Sequence, residues 1–327
     1  MRVLVTGGAG YIGSISTRVL LDAGHDVVVL DSLERGNAAA VDGRARLVRA
    51  GVDDARALDE VLPLADAVLH CAGYIDVAES QADPDLYYRK NLSAPSVMLD
   101  RMMTHGVRYL VFSSTAAVYG EPANVPIPET ARCFPVNVYG ASKLAFERMI
   151  EAAEHAGALS AVRLRYFNVA GAWPDGSLGE AHDPETHIVP RILRSAAEGA
   201  RFTLFGDDYP TPDGTCIRDY VHVADLAEAH RLALEWLASN DGGLVCNLGS
   251  GRGYSNLEIV RACESVTGSR IAFDVAPRRA GDPARLVASI GKAEEVLGWS
   301  PERDLDSMVA DARTWHAAHP NGYRAAG

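Results

Sequence analysis

Tyr139 and Lys143 stand four residues apart in a stretch that reads as a helix over about Val138 to Ala156, so both side chains share one face. An ammonium close to a phenol favours the phenolate, which would make the tyrosine a usable base near neutrality. The chain has 12 tyrosines in 327 residues, and lysine occurs only as Lys90, Lys143 and Lys292. At that frequency the spacing arises by chance about 0.1 times. The bland alternative is an exposed contact on a solvated helix. Placement after Thr115 and before a strand favours chemistry.

A second group is Thr6-Gly7-Gly8-Ala9-Gly10-Tyr11-Ile12-Gly13, which joins the apolar run Val3-Leu4-Val5 to a helical pattern at Ile12, Ile15, Val19 and Leu20 that closes at Gly24. Val27-Val28-Val29-Leu30 then ends on Asp31. Strand, glycine turn, helix, strand and terminal acid form a dinucleotide-binding unit. Gly7 permits the sharp exit from the strand, Gly10 lets the backbone approach a pyrophosphate, and Gly13 lets the helix lie close to the sheet. Asp31 can accept from both adenine-ribose hydroxyls and would repel a 2′-phosphate, which favours NAD over NADP. Arg35 nearby could soften that preference.

The elements that must position these groups alternate along the chain. Arg46-Leu47-Val48 reads as a strand and Asp54 to Leu62 as a helix. Ala67 to Gly73 is a strand and its exit turn. Asp83-Pro84 opens a long helix to Gly106, with Pro95 as a kink site. Tyr109 to Thr115 and Ala161 to Tyr166 are further strands. Nearly all-apolar strands between helices indicate α/β architecture, a doubly wound parallel sheet of the Rossmann type, with ligands beyond the carboxyl ends of the strands. The division expected is a cofactor domain over residues 1–168 and a smaller α/β substrate domain over 169–327, with about 218–248 returning to the main sheet. In the second half, Asp225 is expected to cap one helix, Ser255 and Glu258 form a capping box, and Asp306 starts the last helix.

Composition narrows the function classes. Hydrophobic content of 48%, charged content of 23% and a net charge of −12 are those of a globular protein, and they argue against nucleic acid or anionic membrane as the main partner. No apolar run approaches a membrane span and there is no signal-peptide pattern. Cys71, Cys133, Cys216, Cys246 and Cys263 are odd in number and scattered, which suits free thiols in a reducing cytoplasm. His182, Asp183, Glu185 and His187 look superficially like metal ligands, yet their spacing fits no zinc pattern, and no metal is expected. His316 and His319 are expected to be exposed.

Motifs across nearly the whole chain carry a resemblance. The glycine run, Ser113-Ser114-Thr115-Ala116-Ala117-Val118-Tyr119-Gly120 and Tyr139-Gly140-Ala141-Ser142-Lys143 resemble the extended short-chain dehydrogenases/reductases. The segments 165–171, 205–215, 218–223 and Pro277 to Asp282 resemble, within that superfamily, the UDP-glucose 4-epimerase family. The resemblance implies interconversion of UDP-glucose and UDP-galactose by transient NAD-dependent oxidation at sugar C4, rotation of the 4-keto sugar and return of the hydride. It implies Tyr139 as base, Thr115 on the same sugar oxygen and Lys143 on the nicotinamide ribose. Cofactor contacts implied are Gly7, Gly10, Tyr11, Ile12, Gly13, Asp31, Ser32, Asp53, Ala72, Asn91, Ser113, Tyr139, Lys143 and Tyr166. Substrate contacts implied are Thr115, Tyr139, Asn168, His187, Ile188, Thr203, Phe205, Arg218, Tyr220, Arg279, Asp282 and Leu286. A homodimer joined through helices at about 84–105 and 138–156 is also implied.

Two departures stand out. Ile75 replaces a lysine that many relatives carry, and the sugar-pocket gatekeeper position holds the intermediate-sized Leu286. A 4,6-dehydratase would need an acid and a base after Thr115, where Ala116 and Ala117 stand. Another UDP-sugar (an N-acetylhexosamine, glucuronate or pentose) remains an alternative substrate, and a non-enzymatic NAD sensor would be expected to lack Tyr139 or Lys143.

Overall fold

The computed structural model describes residues 1–279 and 282–324, so Ala280 and Gly281 of the 277–282 motif lie outside the described residues. Thirteen strands occur in chain order among the described residues: β1 (Arg2–Thr6), β2 (Asp26–Asp31), β3 (Arg46–Arg49), β4 (Ala67–His70), β5 (Tyr109–Thr115), β6 (Ser160–Tyr166), β7 (Asn168–Ala170), β8 (Phe202–Phe205), β9 (Ile217–His222), β10 (Leu244–Leu248), β11 (Gly253–Ser255), β12 (Phe273–Ala276) and β13 (Arg285–Leu286). The helices are α1 (Tyr11–Asp22), α2 (Ala55–Val61), α3 (Val77–Ala82), α4 (Pro84–Tyr88), α5 (Ala94–His105), α6 (Val138–His155), α7 (Ile188–Glu198), α8 (Val223–Ser239), α9 (Asn256–Thr267), α10 (Gly291–Leu297) and α11 (Leu305–Ala318).

Seven strands form one parallel sheet in the order β10-β6-β5-β4-β1-β2-β3. Both faces are apolar because successive strand residues point to opposite sides. Val3 and Val5 of β1 pack with Leu20 of α1 and Leu226, Ala229 and Ala233 of α8. Leu4 between them packs toward Met98 of α5 and Phe146 and Ile150 of α6. Each such fully buried side chain stabilises the fold by about 1.5–3 kcal/mol, before the entropy of ordering it. The direction of winding reverses between β1 and β4, so the Gly7 turn lies at the switch point where such sheets bind ligands.

The smaller sheet is built on β9, which pairs with β7 and β13 in parallel and β11 antiparallel; β8 and β12 form a separate parallel pair. Helices α7, α9 and α11 cover these strands through Ile192, Ile259, Met308 and Val309. Of the segment 218–248, α8 and β10 lie on the seven-stranded sheet, whereas β9 belongs to the smaller one.

Several local expectations need revision. The helix expected from Asp83 to Gly106 is α4 and α5 joined by a π turn over Arg89–Ser93. Pro95 has no N–H for the carbonyl of Asn91, and its ring would crowd that carbonyl; widening the turn relieves both. Asp225 does not cap α8. The His222 imidazole accepts from the Ala224 N–H there, and the Asp225 carboxylate instead takes the Glu302 and Arg303 amides at 3.0 and 2.9 Å. The last helix is capped by Asp304 rather than opened by Asp306. His316 and His319 are half-buried, the latter stacked on Trp315 at 3.7 Å.

Candidate active site

Helix α6 starts at Asn137, whose side chain accepts from the Gly140 amide at 2.8 Å. A Cβ on Gly140 would sit 2.5 Å from the Ala117 carbonyl oxygen, so only glycine lets α6 approach the turn after β5 this closely. The approach brings Tyr139 against Thr115. The Thr115 hydroxyl lies near enough to the phenol to oppose the upward pull of burial on its pKa, without cancelling it. Thr115 also accepts from the Ala117 amide at 3.1 Å, fixing its rotamer.

Lys143 is buried one turn below and donates to the Ser113 carbonyl at 3.0 Å, with its ammonium 4.9 Å from the Phe112 ring centre. Burial lowers its pKa to about 8. The ammonium is turned to the Ser113 carbonyl of β5, while Thr115 is the neighbour that favours the Tyr139 phenolate. Tyr166 lies close enough to Tyr139 for their charges to interact, and burial pushes its own hydroxyl well up.

The glycine turn has the shape of a dinucleotide cradle. Gly7 has φ +73°, and a Cβ there would lie 2.5 Å from the Ala72 nitrogen; one on Gly13 would lie 2.1 Å from the Gly7 oxygen. Gly10 caps α1 with no side chain over the first amides, which include those of Tyr11, Ile12 and Gly13. A helix terminus bare in this way suits a pyrophosphate. Asp31, buried at the end of β2, accepts from the Ala9 and Leu33 amides at 2.9 Å each, so it fixes the loop beside the glycine turn. The residues present fit NAD. Arg35 is not free for a 2′-phosphate, because its guanidinium pairs with Glu79 at 2.5 Å and lies 4.0 Å from the Tyr74 ring centre. Ser32 directly follows β2, and exposed Asp53 lies in the loop after β3. Asn91 sits in the π turn, where its side chain closes a reciprocal pair with the Tyr74 backbone at 2.8 and 2.9 Å and reaches Ser142. It thereby ties the exit of β4 to α6. Near Ile75, Lys90 from the same turn bonds Glu34 at 2.8 Å.

On the other side of Tyr139, exposed Asn168 stands in register with Tyr220. Arg218 donates to the Asp282 carboxylate and to the Ile217 carbonyl. Arg279 lies over the Phe205 ring at 4.2 Å. Strand β8, carrying Thr203 and Phe205, pairs only with β12 among the described residues, which leaves backbone groups of its other edge for a planar amide ligand. Leu286 is in register with Arg218 and packs with Ala116 and Phe167, next to Thr115 and Asn168. His187 is the N-cap residue of α7 and Ile188 its first turn. The His187 Nδ1 is engaged by Glu180 at 2.7 Å and Glu185 at 3.2 Å, and His182 meets Glu180 at 3.0 Å. His182, Glu185 and His187 gather with Glu180, whereas Asp183 is exposed and pairs with Arg324 at 2.7 Å.

Sequence reasoning missed His230, Cys71 and Glu147. His230, from α8, meets the Ser113 hydroxyl at 3.1 Å, and burial lowers its pKa to about 4. The Ser113 hydroxyl also donates to Cys71 Sγ at 3.3 Å. Glu147 accepts from Ser114 at 2.5 Å and from Arg165 at 2.6 Å, locking α6 to β5 and β6. An acid one turn beyond Lys143 was the available signal for Glu147; nothing local marked His230.

The model of the NAD dependent epimerase/dehydratase family matches residues 3–249. The chain belongs to that family. An epimerase relative, the UDP-glucose 4-epimerase of Lacticaseibacillus casei, is 50% identical over 99% of each chain. Two solved epimerase structures superpose closely. The UDP-glucose 4-epimerase of Stenotrophomonas maltophila, with bound NAD and formylated UDP-arabinopyranose, has a TM-score of 0.95 at 40% identity, covering 98% of this chain and 99% of that one. That of Bifidobacterium longum, in complex with NAD+ and UDP, has a TM-score of 0.95 at 37% identity, covering 99% and 100%.

Proposed function

We propose that this protein interconverts UDP-glucose and UDP-galactose, with NAD as a resident cofactor that supplies a reversible hydride sink at sugar C4. The observation that carries the reading is the Thr115–Tyr139 pair, set between the bare α1 terminus and the Asn168–Arg218–Asp282 cluster. Tyr139 takes the proton of the sugar 4-hydroxyl and returns it; Thr115 orients that oxygen and favours the phenolate. Lys143 bonds the cofactor ribose. Gly7, Gly10, Tyr11, Ile12 and Gly13 face the pyrophosphate, Asp31, Ser32 and Asp53 the adenosine, and Ala72, Asn91, Ser113 and Tyr166 the nicotinamide side. Asn168, Arg218 and Arg279 hold the diphosphate with Tyr220, His187 and Ile188 beside them, a task suited to planar guanidinium groups. Asp282 takes the uridine ribose and the backbone of Thr203 to Phe205 takes uracil.

The test is incubation of the purified chain with UDP-galactose and no added cofactor. UDP-glucose should accumulate to equilibrium; no product with NAD bound would overturn the reading. Leu286, half-buried at the sugar end, supports asking the same of UDP-N-acetylgalactosamine. The five cysteines are unpaired, as a reducing cytoplasm would keep them, and no described helix is long and apolar enough to cross a membrane. Exposed Tyr88, Met103 and Met149 lie on α4, α5 and α6, the helices through which we propose a homodimer. Sedimentation at working concentration as a monomer would refute it.

A further inference from the structure

Glu180, His182, Glu185 and His187 come from one segment leading into α7, in which the pattern Glu-x-His occurs twice, five residues apart. Their side chains turn inward to a common point. The Glu180 and Glu185 side chains are only 4% and 1% exposed, and neither meets an arginine or lysine within 4.0 Å among the described residues. The His187 amide donates to Glu185 at 2.8 Å, and the two imidazole rings stand 5.2 Å apart beside the carboxylates. Two buried carboxylates and two imidazoles converging in this way form a donor set that a divalent cation satisfies.

The distances agree. Nδ1 of His182 lies 3.0 Å from Glu180 and 3.8 Å from Glu185; Nδ1 of His187 lies 2.7 and 3.2 Å from the same two residues. One donor atom from each residue falls within 4.8 Å of all the others. A tetrahedral zinc shell with bonds of about 2.0–2.1 Å has donor–donor edges of about 3.3 Å. Two imidazoles and two carboxylates are a donor set for zinc and neighbouring divalent transition metals rather than for calcium or magnesium.

We propose that Glu180, His182, Glu185 and His187 bind one divalent transition-metal ion, Zn2+ by donor set, as a structural clamp. The site lies where three parts of the fold meet. The Tyr11 ring, at the first turn of α1, stands edge-on to His182 at 6.4 Å, and the Tyr11 hydroxyl donates to the Gly171 carbonyl at 2.6 Å. Trp315 of α11 donates to the Glu180 carbonyl at 3.0 Å. An ion here fastens the segment 171–187 against the glycine turn on one side and α11 on the other, adding to the hydrogen bonds that Tyr11 makes at Gly171 and Trp315 at Glu180.

The test reads metal rather than turnover. Full-length protein without a polyhistidine tag is stripped with chelator and titrated with Zn2+ against a chromophoric competitor, and in parallel with Co2+ by visible absorption. Wild type should take up one tight equivalent per chain, with Co2+ giving the d–d bands of a four-coordinate site. Glu180→Gln and His182→Asn should each weaken binding by about 100-fold or more and abolish those bands, with circular dichroism showing the fold intact. The proposal is overturned if wild type shows no tight equivalent, or if the Glu180→Gln/His182→Asn double variant keeps it. Should the variants not fold, a wild-type Co2+ spectrum without four-coordinate bands is enough to reject it.

Discussion

Lys143 donates to the carbonyl of Ser113 at 3.0 Å, a contact that spans from the catalytic helix to the strand bearing Thr115. The lysine thus braces β5 against α6, while the Thr115 hydroxyl lowers the Tyr139 pKa against the pull of burial. Loss of the two hydroxyls should therefore be kinetically distinct.

Tyr139→Phe removes the proposed proton acceptor and little packing. It should lower kcat by about 10²–10⁴-fold while bound NAD and the melting temperature stay near wild type. Stopped assays with UDP-galactose, cofactor content of the purified variant and a thermal melt check all three together.

Thr115→Val keeps the shape and removes the hydroxyl that favours the phenolate. Since that hydroxyl lowers the Tyr139 pKa and the proposed base must be deprotonated to act, the acid-side limb of the kcat/KM profile should move to higher pH. The variant also loses its bond to the Ala117 amide, so a stability loss of about 1 kcal/mol should accompany the shift. An unmoved limb would remove Thr115 from the tuning role.

Arg218 and Asp282 are paired across the proposed nucleotide site. Arg218→Leu should reduce kcat/KM for the UDP-sugar by about 100-fold or more and leave NAD content unchanged. Asp282→Asn should raise KM more modestly, because it releases Arg218 for phosphate as it loses a ribose acceptor. Loss of bound NAD from either variant would contradict the assignment.

Acid should destabilise the fold early. Burial holds His70 and His222 at a pKa of about 3 and His230 at about 4. Their unfolded forms bind protons from about pH 6.5 downward while the folded forms do not. Stability is therefore full above pH 6.5 and falls as pH drops toward 4, by about 1.4 kcal/mol per pH unit for each ring. Urea midpoints at pH 7, 6 and 5 measure the slope, and His70→Asn should flatten it by about one third.

Periodicity and turn chemistry made the sheet legible. β1, β2 and the glycine turn are marked by residues that act locally, and the start of α9 follows from the Ser255–Glu258 box. The Tyr139–Lys143 stretch read as helical and lies on α6 for the same reason. What was not legible depends on partners distant in sequence. Asp225 has the chemistry of an N-cap, yet amides from residues 302 and 303 claim it. His230 is drawn to Ser113 across 117 residues, and Lys143 answers to a strand carbonyl rather than to its helical neighbour. The Glu180–His187 cluster needed a folded loop before its spacing meant anything.

Strand β9 divides its labour residue by residue. Arg218 and Tyr220 are turned to the proposed ligand groove, while Asp219 between them gathers the amides of Ser250, Gly251 and Ala288 at 2.6, 3.1 and 2.9 Å. Inserting or deleting one residue here would point the guanidinium at those loops and the carboxylate at the diphosphate. Attempts to retarget the enzyme to other nucleotides must therefore work by exchanging side chains at fixed chain length, since the anchor and the grip are threaded on one wire.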